Sequence, residues 1–322
     1  MGKMKYILVL ILGSLLLSSC EGFLDREPLD QISTGNFYKS ETDARLAVLS
    51  VYSTLQSINW HGKSWMITEI PSDNTTTGGN DPDFSPIDNF TINSDNAPNS
   101  EYWTEHYRLV TQANQVIQFV PEIEMDAVLK ANYVGEARFL RAFSYFDLVR
   151  IYGDVPIITE VPTIDSDLYI PRSPVAEVYE MIEADLLYAI ENLPESRTTA
   201  TFGRATMDAA KALLAKAYLT QNKNEDCMTL CREIIADGRY RLEEDFANNW
   251  LRDISDNNSE AIFQIQYVGW VRGIRGMLCK HFLHHGVKAL HKTQMAGVHR
   301  SQPVRRLIIQ VRPSRMLMIQ MT

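Results

Sequence analysis

Gly135-Glu136-Ala137-Arg138-Phe139-Leu140-Arg141-Ala142 lies at the centre of a stretch, residues 131–152, that is apolar around most of its circumference. A surface helix keeps its apolar side chains on one stripe, whereas a helix that is apolar all round is buried on every side. The stretch therefore predicts a central helix. Gly153 stands where a left-handed closing residue belongs, and Pro156 prevents continuation. Arg138 and Arg141 lie three apart on this otherwise apolar surface. Buried guanidinium groups demand partners, so carboxylates from neighbouring helices are expected against them. Asp73 and Asp154 are the candidates.

Helical periodicity continues on both sides. Ala44, Ala47, Val48, Val51, Tyr52 and Leu55 keep helical spacing after Ser40, a residue type that caps helices. Trp103, Tyr107, Val110, Ala113, Ile117 and Val120 make a second stripe, which predicts Trp103 in the core. Ser173-Pro174 reads as a cap followed by a first-turn proline, opening a helix with Val178, Ile182, Leu186, Ile190 and Leu193 on its face. Thr206 caps a helix carrying Ala210, Leu213, Leu214, Ala217 and Tyr218. Asn224 caps the next, with Cys227, Leu230, Cys231, Ile234 and Ile235, and Gly238 ends it. Helices of this size joined by short links predict an all-α fold of tetratricopeptide-like repeats with long irregular loops. Only Ala261-Ile262-Phe263-Gln264-Ile265-Gln266-Tyr267 reads as a strand.

Charge divides the chain in two. The 322 residues carry a formal charge of −9, with 31 basic and 40 acidic side chains. Residues 1–260 hold 21 basic and all 40 acidic residues, whereas residues 261–322 hold 10 basic residues, no acidic one, and five of the seven His. So abrupt a change, together with the likeness described below ending at about residue 268, predicts that residues 269–322 arise from out-of-frame translation, in a truncated gene product or a sequencing artefact, and form an unstructured basic tail. The body is acidic, which gives no electrostatic basis for nucleic-acid binding.

The first 19 residues read as an address. Lys3 and Lys5 precede an apolar run of about a dozen residues, too short to span a bilayer comfortably, and Leu17-Ser18-Ser19-Cys20 follows. A Cys after Leu-Ser-Ser resembles the bacterial lipoprotein signal, in which that Cys is lipidated. Acyl chains on Cys20 would tether the protein to a membrane, since each buried CH₂ contributes roughly 0.8 kcal/mol.

Residues 59–100 interrupt the helical pattern. They are rich in Asn, Asp, Thr, Pro and Gly, and they carry Trp60, Trp65, Phe84 and Phe90. Long irregular segments of this kind are functional or disordered. Aromatic faces suit sugars, whose C–H faces pack on π surfaces while polar neighbours bond the hydroxyls. Trp60, Trp65 and Phe84, with Asn80, Asp81 and Asp83, are the candidate ligand contacts. The alternative for each Trp is that it closes the core beneath the loop. Asp81-Pro82-Asp83-Phe84-Ser85 alternates oxygens as calcium loops do, but lacks the glycine and glutamate such a loop needs, so a solvated turn is expected.

The remaining constellations read as structure. Cys227 and Cys231 fall on an apolar stripe and are expected as core thiols. Cys279, His281, His284 and His285 match no standard zinc spacing. His61 and His106 are isolated, the second within a core-type stripe. No phosphate loop, nucleophile elbow or zinc-protease helix is present, and an acidic chain supplies chance carboxylate pairs freely. No catalytic residue, metal site or cofactor is expected.

Several ordered segments together resemble a known family. They are Cys20-Glu21-Gly22-Phe23-Leu24-Asp25, Pro28-Leu29-Asp30, Phe37-Tyr38, Val51-Tyr52 and Glu69-Ile70-Pro71-Ser72-Asp73-Asn74. The central Gly135–Ala142 octapeptide, Tyr152-Gly153-Asp154-Val155-Pro156, and Ala205-Thr206 with residues 209–215 complete the set. The chain is similar, over residues 1 to about 268, to the SusD/RagB family of Bacteroidetes outer-membrane lipoproteins. That resemblance implies a lipid-anchored, surface-exposed protein of the outer membrane that binds glycans or oligosaccharides without cleaving them. It also implies a SusC-like TonB-dependent transporter as partner. Family members are longer, and their second half supplies part of the ligand site. Residues 20–268 are therefore expected to form an incomplete domain with weak or absent glycan binding. A surface tetratricopeptide-type protein-interaction module, with a concave groove lined by helix residues, is the other reading.

Overall fold

The computed structural model describes residues 37–78, 81–163, 166, 169–198, 201–249 and 258–266. The signal, Cys20, Asn80, Tyr267 and the basic tail lie outside the described residues. The chain forms two compact units, Met1–Lys39 and Ser40–Thr322. Of the first, only residues 37–39 are described, and the Phe37 and Tyr38 rings meet edge to face at 5.0 Å.

The second unit is built on helices. α1, Glu41–Leu55, begins at Ser40 in a capping box: the Asp43 N–H donates to Ser40 Oγ, and the Ser40 N–H donates to Asp43 Oδ2 at 2.8 Å. After it come α2 (Lys63–Glu69), α3 (Ser85–Asp88) and α4 (Ala97–Phe119). α5, Ala127–Tyr152, starts one turn earlier than its apolar pattern suggested, because Asp126 Oδ1 accepts from the Leu129 N–H at 2.8 Å. Its side chains are buried on all sides from Tyr133 to Leu140 and on to Val149, as a central helix requires. Gly153 closes it with φ +72°.

α6 (Val175–Asn192), α7 (Met207–Thr220) and α8 (Asn224–Asp237) follow. Each helix packs on the next, α1 on α4, α4 on α5, then α6, α7 and α8 in turn, the arrangement of tetratricopeptide-like repeats. Thr206 caps α7 as expected, accepting from the Ala209 N–H at 3.2 Å. Two caps differ by one residue. α6 begins after Pro174, not after Ser173, because Asp154 Oδ1 reaches across to accept the Val175 N–H at 3.0 Å. α8 begins at Asn224 itself, with Lys223 in the cap position.

The face of α4 is also rotated from the predicted stripe. Tyr102, Glu105, His106 and Leu109 point into the core with Val110 and Ala113, and Trp103, Tyr107 and Ile117 are only half-buried. Glu105 and His106 read as polar in sequence but find partners, Glu105 in Arg108 at 2.6 Å and His106 Nδ1 in Ser144 Oγ at 2.8 Å, while the buried His106 Nε2 has none. Trp103 covers an edge instead, its ring 4.9 Å from those of Tyr107 and Tyr152.

Residues 261–266 do not form a strand. A helical array offers no sheet edge to pair with, and among the described residues there is only an isolated bridge, between Val155 and Ser173. The segment runs as a strap across the helices. Phe263 packs edge-on against Phe139 at 5.1 Å and Phe143 at 6.3 Å, Ile265 is buried, and the Gln266 carbonyl accepts from Gln56 Nε2 at 2.6 Å. Gly203 lies beneath it with φ +84°, and a Cβ there would meet Gln266 Cγ at 2.1 Å. Gly203→Ala is therefore expected to cost about 2 kcal/mol or more in chemical denaturation, from backbone strain and displacement of the strap together. Gly238→Ala, at φ +73° with open space around it, should lose only about 1 kcal/mol. Equal losses would show that the strap does not rest on Gly203.

Two buried ion clusters tie the helices together. Arg141 on α5 donates from Nε and Nη2 to Asp185 on α6 at 2.7 and 2.8 Å, and from Nη1 to Asn114 on α4 at 2.7 Å. Arg138 lies over the Tyr188 ring at 4.2 Å, with Asp185 Oδ1 3.5 Å away. The carboxylate does come from a neighbouring helix, but it is neither Asp73, which is exposed, nor Asp154, which caps α6. Glu136, wholly buried, receives Arg204 in a bidentate pair at 2.6 Å and Arg197 at 2.9 Å.

Candidate functional site

Residues 58–96 leave the helical array between α1 and α4, and they are more ordered than their composition predicts. Ser57 Oγ accepts the Asn59 N–H at 3.1 Å and starts a single wide turn, Ile58–Gly62, that leads directly into α2. Sequence periodicity misses these elements because each is too short to show a stripe. Met66, Ile70 and Ile87 form a small core beneath the segment, and Trp65, Ile67 and Phe84 pack around it.

That arrangement separates the predicted aromatics. Trp60 is 1% exposed, its ring 3.8 Å from His106 and 6.0 Å from Phe143. As a ligand contact it is corrected: Trp60 closes the core under the loop. Trp65 and Phe84 instead come together at the surface, half-buried, with ring centroids 6.3 Å apart and planes inclined at 52°. Both are partly exposed and pack against the small core.

The polar residues hold the shape of the segment. Asp81 Oδ1 accepts from the Asp83 and Phe84 N–H groups at 2.9 and 3.0 Å, the turn expected there, and so sets the direction of Phe84. The Asp83 carbonyl accepts Asn96 Nδ2 at 2.9 Å, and Asn96 also caps α4 by accepting the Asn99 N–H at 3.2 Å. Asp88 Oδ2 gathers the Thr77 N–H and Thr77 Oγ1, both at 2.8 Å. These bonds from Thr77 hold the Asp88 carboxyl below the ordinary carboxylate range. No group of three metal-ligating side chains is found among the described residues.

Phe90, named above among the loop aromatics but not among the candidate contacts, closes the same segment. Phe90 is 75% exposed and sits at φ +56°, where a bulky side chain is strained. Its position follows from the end of α3: the Thr91 N–H bonds back to the Pro86 carbonyl at 2.8 Å, which forces the intervening residue left-handed. Helices commonly fill such a place with Gly or Asn. The signal in the sequence is a phenylalanine where one of those belongs. Ile92, also exposed, lies two residues on.

The SusD-like family model described as "Starch-binding associating with outer membrane" matches residues 23–219, which include this whole segment and α1 to α6. The chain belongs to the SusD-like family. SusD-like protein P38 of Formosa agariphila is 33% identical over 242 residues, covering 74% of this chain and 46% of its own. A SusD-like protein of Bacteroides ovatus is 28% identical over 276 residues, covering 81% of this chain and 50% of its own. Among solved structures, a SusD-like protein from Bacteroides fragilis superposes with a TM-score of 0.66 at 28% identity, over 76% of this chain and 48% of that one. A laminarin-binding SusD-like protein gives 0.63 at 29% identity, over 70% and 51% of the two chains. The chain thus spans about half the length of the relatives it matches.

Proposed function

We propose that this SusD-like chain binds glycans non-covalently on the face formed by residues 63–96, at the outer-membrane surface, and does not cleave them. The observation that carries this reading is the Trp65–Phe84 pair, held over its own small core within a SusD-like fold. Phe90 offers a further exposed ring on the same segment, and Asn80, Asp81 and Asp83 supply hydrogen-bonding groups to sugar hydroxyls. The laminarin-binding neighbour makes a glucan the first ligand to try. In this reading Cys20 carries the lipid anchor and a SusC-like TonB-dependent transporter takes up what is captured. Residues 20–268 are assigned to the glycan-binding domain and residues 269–322 to out-of-frame translation, which sequencing the coding DNA across codon 269 tests.

Affinity electrophoresis in gels containing laminarin, starch or other polysaccharides tests the binding face. Weak retardation by at least one glucan is expected. Trp65→Ala and Phe90→Ala should each weaken it about 3- to 10-fold, the worth of one ring–sugar stack. Phe90→Ala should leave thermal stability nearly unchanged, since the side chain is exposed and alanine keeps the same Cβ at this positive φ. Retardation by no glycan, or tight binding indifferent to both substitutions, would overturn the reading.

A further inference from the structure

Cys227 and Cys231 lie one turn apart on α8 with their sulfurs 4.0 Å from each other, and both are free thiols. Cys227 is buried and Cys231 half-buried, so the pair has one closed side and one side open to solvent. Their spacing on one helix face brings the sulfurs into S–H···S contact, and the partly open side leaves the pair reachable. A disulfide does not suit this place. Residues four apart on a helix hold their Cβ atoms about 5–6 Å apart, and a disulfide needs roughly 3.5–4.5 Å. Zinc does not suit it either, because a structural zinc takes four ligands, and no group of three metal-ligating side chains is found among the described residues.

We propose that Cys227 and Cys231 form a two-coordinate site for a soft monovalent cation of the Cu(I) class. Taking the zinc–thiolate length of about 2.3 Å as the scale for a metal–thiolate bond, a linear S–M–S unit needs about 4.6 Å between sulfurs. The observed 4.0 Å lies within a small side-chain rotation of that value. Thiolates select Cu(I) over harder ions, and two sulfurs suffice for it. Both S–H bonds break, two metal–sulfur bonds form, and two protons leave to solvent. The metal keeps its oxidation state, so no oxidant or reductant is required. Free thiols are mostly protonated at neutral pH, so binding releases protons that can be counted.

Ag(I) serves as a redox-inert probe for this class, applied to the full reduced chain in chloride-free buffer. One equivalent should release two protons and protect Cys231 from alkylation, read residue by residue by mass spectrometry against Cys279. Cys227→Ser, checked for helicity, should weaken Ag(I) retention at Cys231 about 100-fold, because the second sulfur acts at high effective concentration. Cys231→Ser, at the half-buried position, should reduce proton release at this site to one. Preferential uptake at Cys279, release of a single proton by the wild-type chain, or unchanged retention in Cys227→Ser would overturn the proposal.

Discussion

Glu136→Gln is expected to destabilise the helical unit by about 3–5 kcal/mol, the cost of leaving buried charge uncompensated. Glu136 is wholly buried and receives both Arg204 and Arg197. The amide keeps the size of the side chain and removes only its charge, so two guanidinium groups remain beside a neutral acceptor. The consequences reach beyond α5. Arg197 also donates to the Ala205 carbonyl at 2.6 and 2.9 Å, and the Ala205 N–H donates to the Tyr52 hydroxyl at 2.8 Å. Loss of the carboxylate therefore loosens the 194–206 connection from both α5 and α1. A fall in Tm of about 10 °C is expected for a unit of this size. Glu180→Gln, on an exposed position of α6, should change stability by less than about 0.5 kcal/mol. A loss below about 1 kcal/mol at Glu136 would show that the arginines find other partners.

Acid should unfold the protein through His106. The side chain is fully buried between Trp60 and Tyr102, and burial lowers its pKa from the ordinary 6.5 to about 4. Asp147 and the Ser144 contact oppose that shift without cancelling it. His106 is neutral in the fold, whereas the unfolded chain protonates it below pH 6.5. Its contribution is thus fully present above pH 6.5 and is lost as pH falls from 6.5 to about 4. The loss amounts to about 2 kcal/mol by pH 5 and about 3 kcal/mol in full. His61, also lowered by burial, adds in the same direction. Denaturation curves at pH 7 and pH 5 measure the effect. His106→Phe removes the titrating group while Ser144 Oγ keeps its bond to the residue-106 carbonyl at 3.1 Å. That variant should show most of the pH dependence removed; an unchanged slope would assign the acid sensitivity elsewhere.

The helices were legible in sequence because their signals are local. Ser40, Thr206, Gly153 and Gly238 lie within a few residues of the ends they define, and α5 shows its centrality in an unbroken apolar surface. What could not be read depends on distant residues. Asp154 caps α6 from 21 positions away, and Glu136 meets Arg204 from 68 away. The quoted octapeptide contains Glu136, yet nothing near it names its partners. The candidate site shows the same division. Trp60 and Trp65 stand in similar polar surroundings, and only packing assigns one to the main core and the other to the small core beside Phe84. The strand expected at 261–267 failed for a related reason: alternation predicts an extended backbone, and only the rest of the fold decides whether an edge exists to pair with it.

The binding face is tested most directly by ¹⁹F NMR of the protein labelled with fluorotryptophan and titrated with glucan oligosaccharides. Trp65, half-exposed beside Phe84, should shift progressively with ligand, and Trp60, buried against His106, should stay in place. A saturating glycan that leaves Trp65 unmoved, or that moves Trp60 alone, would contradict the assignment of residues 63–96 as the glycan-binding face.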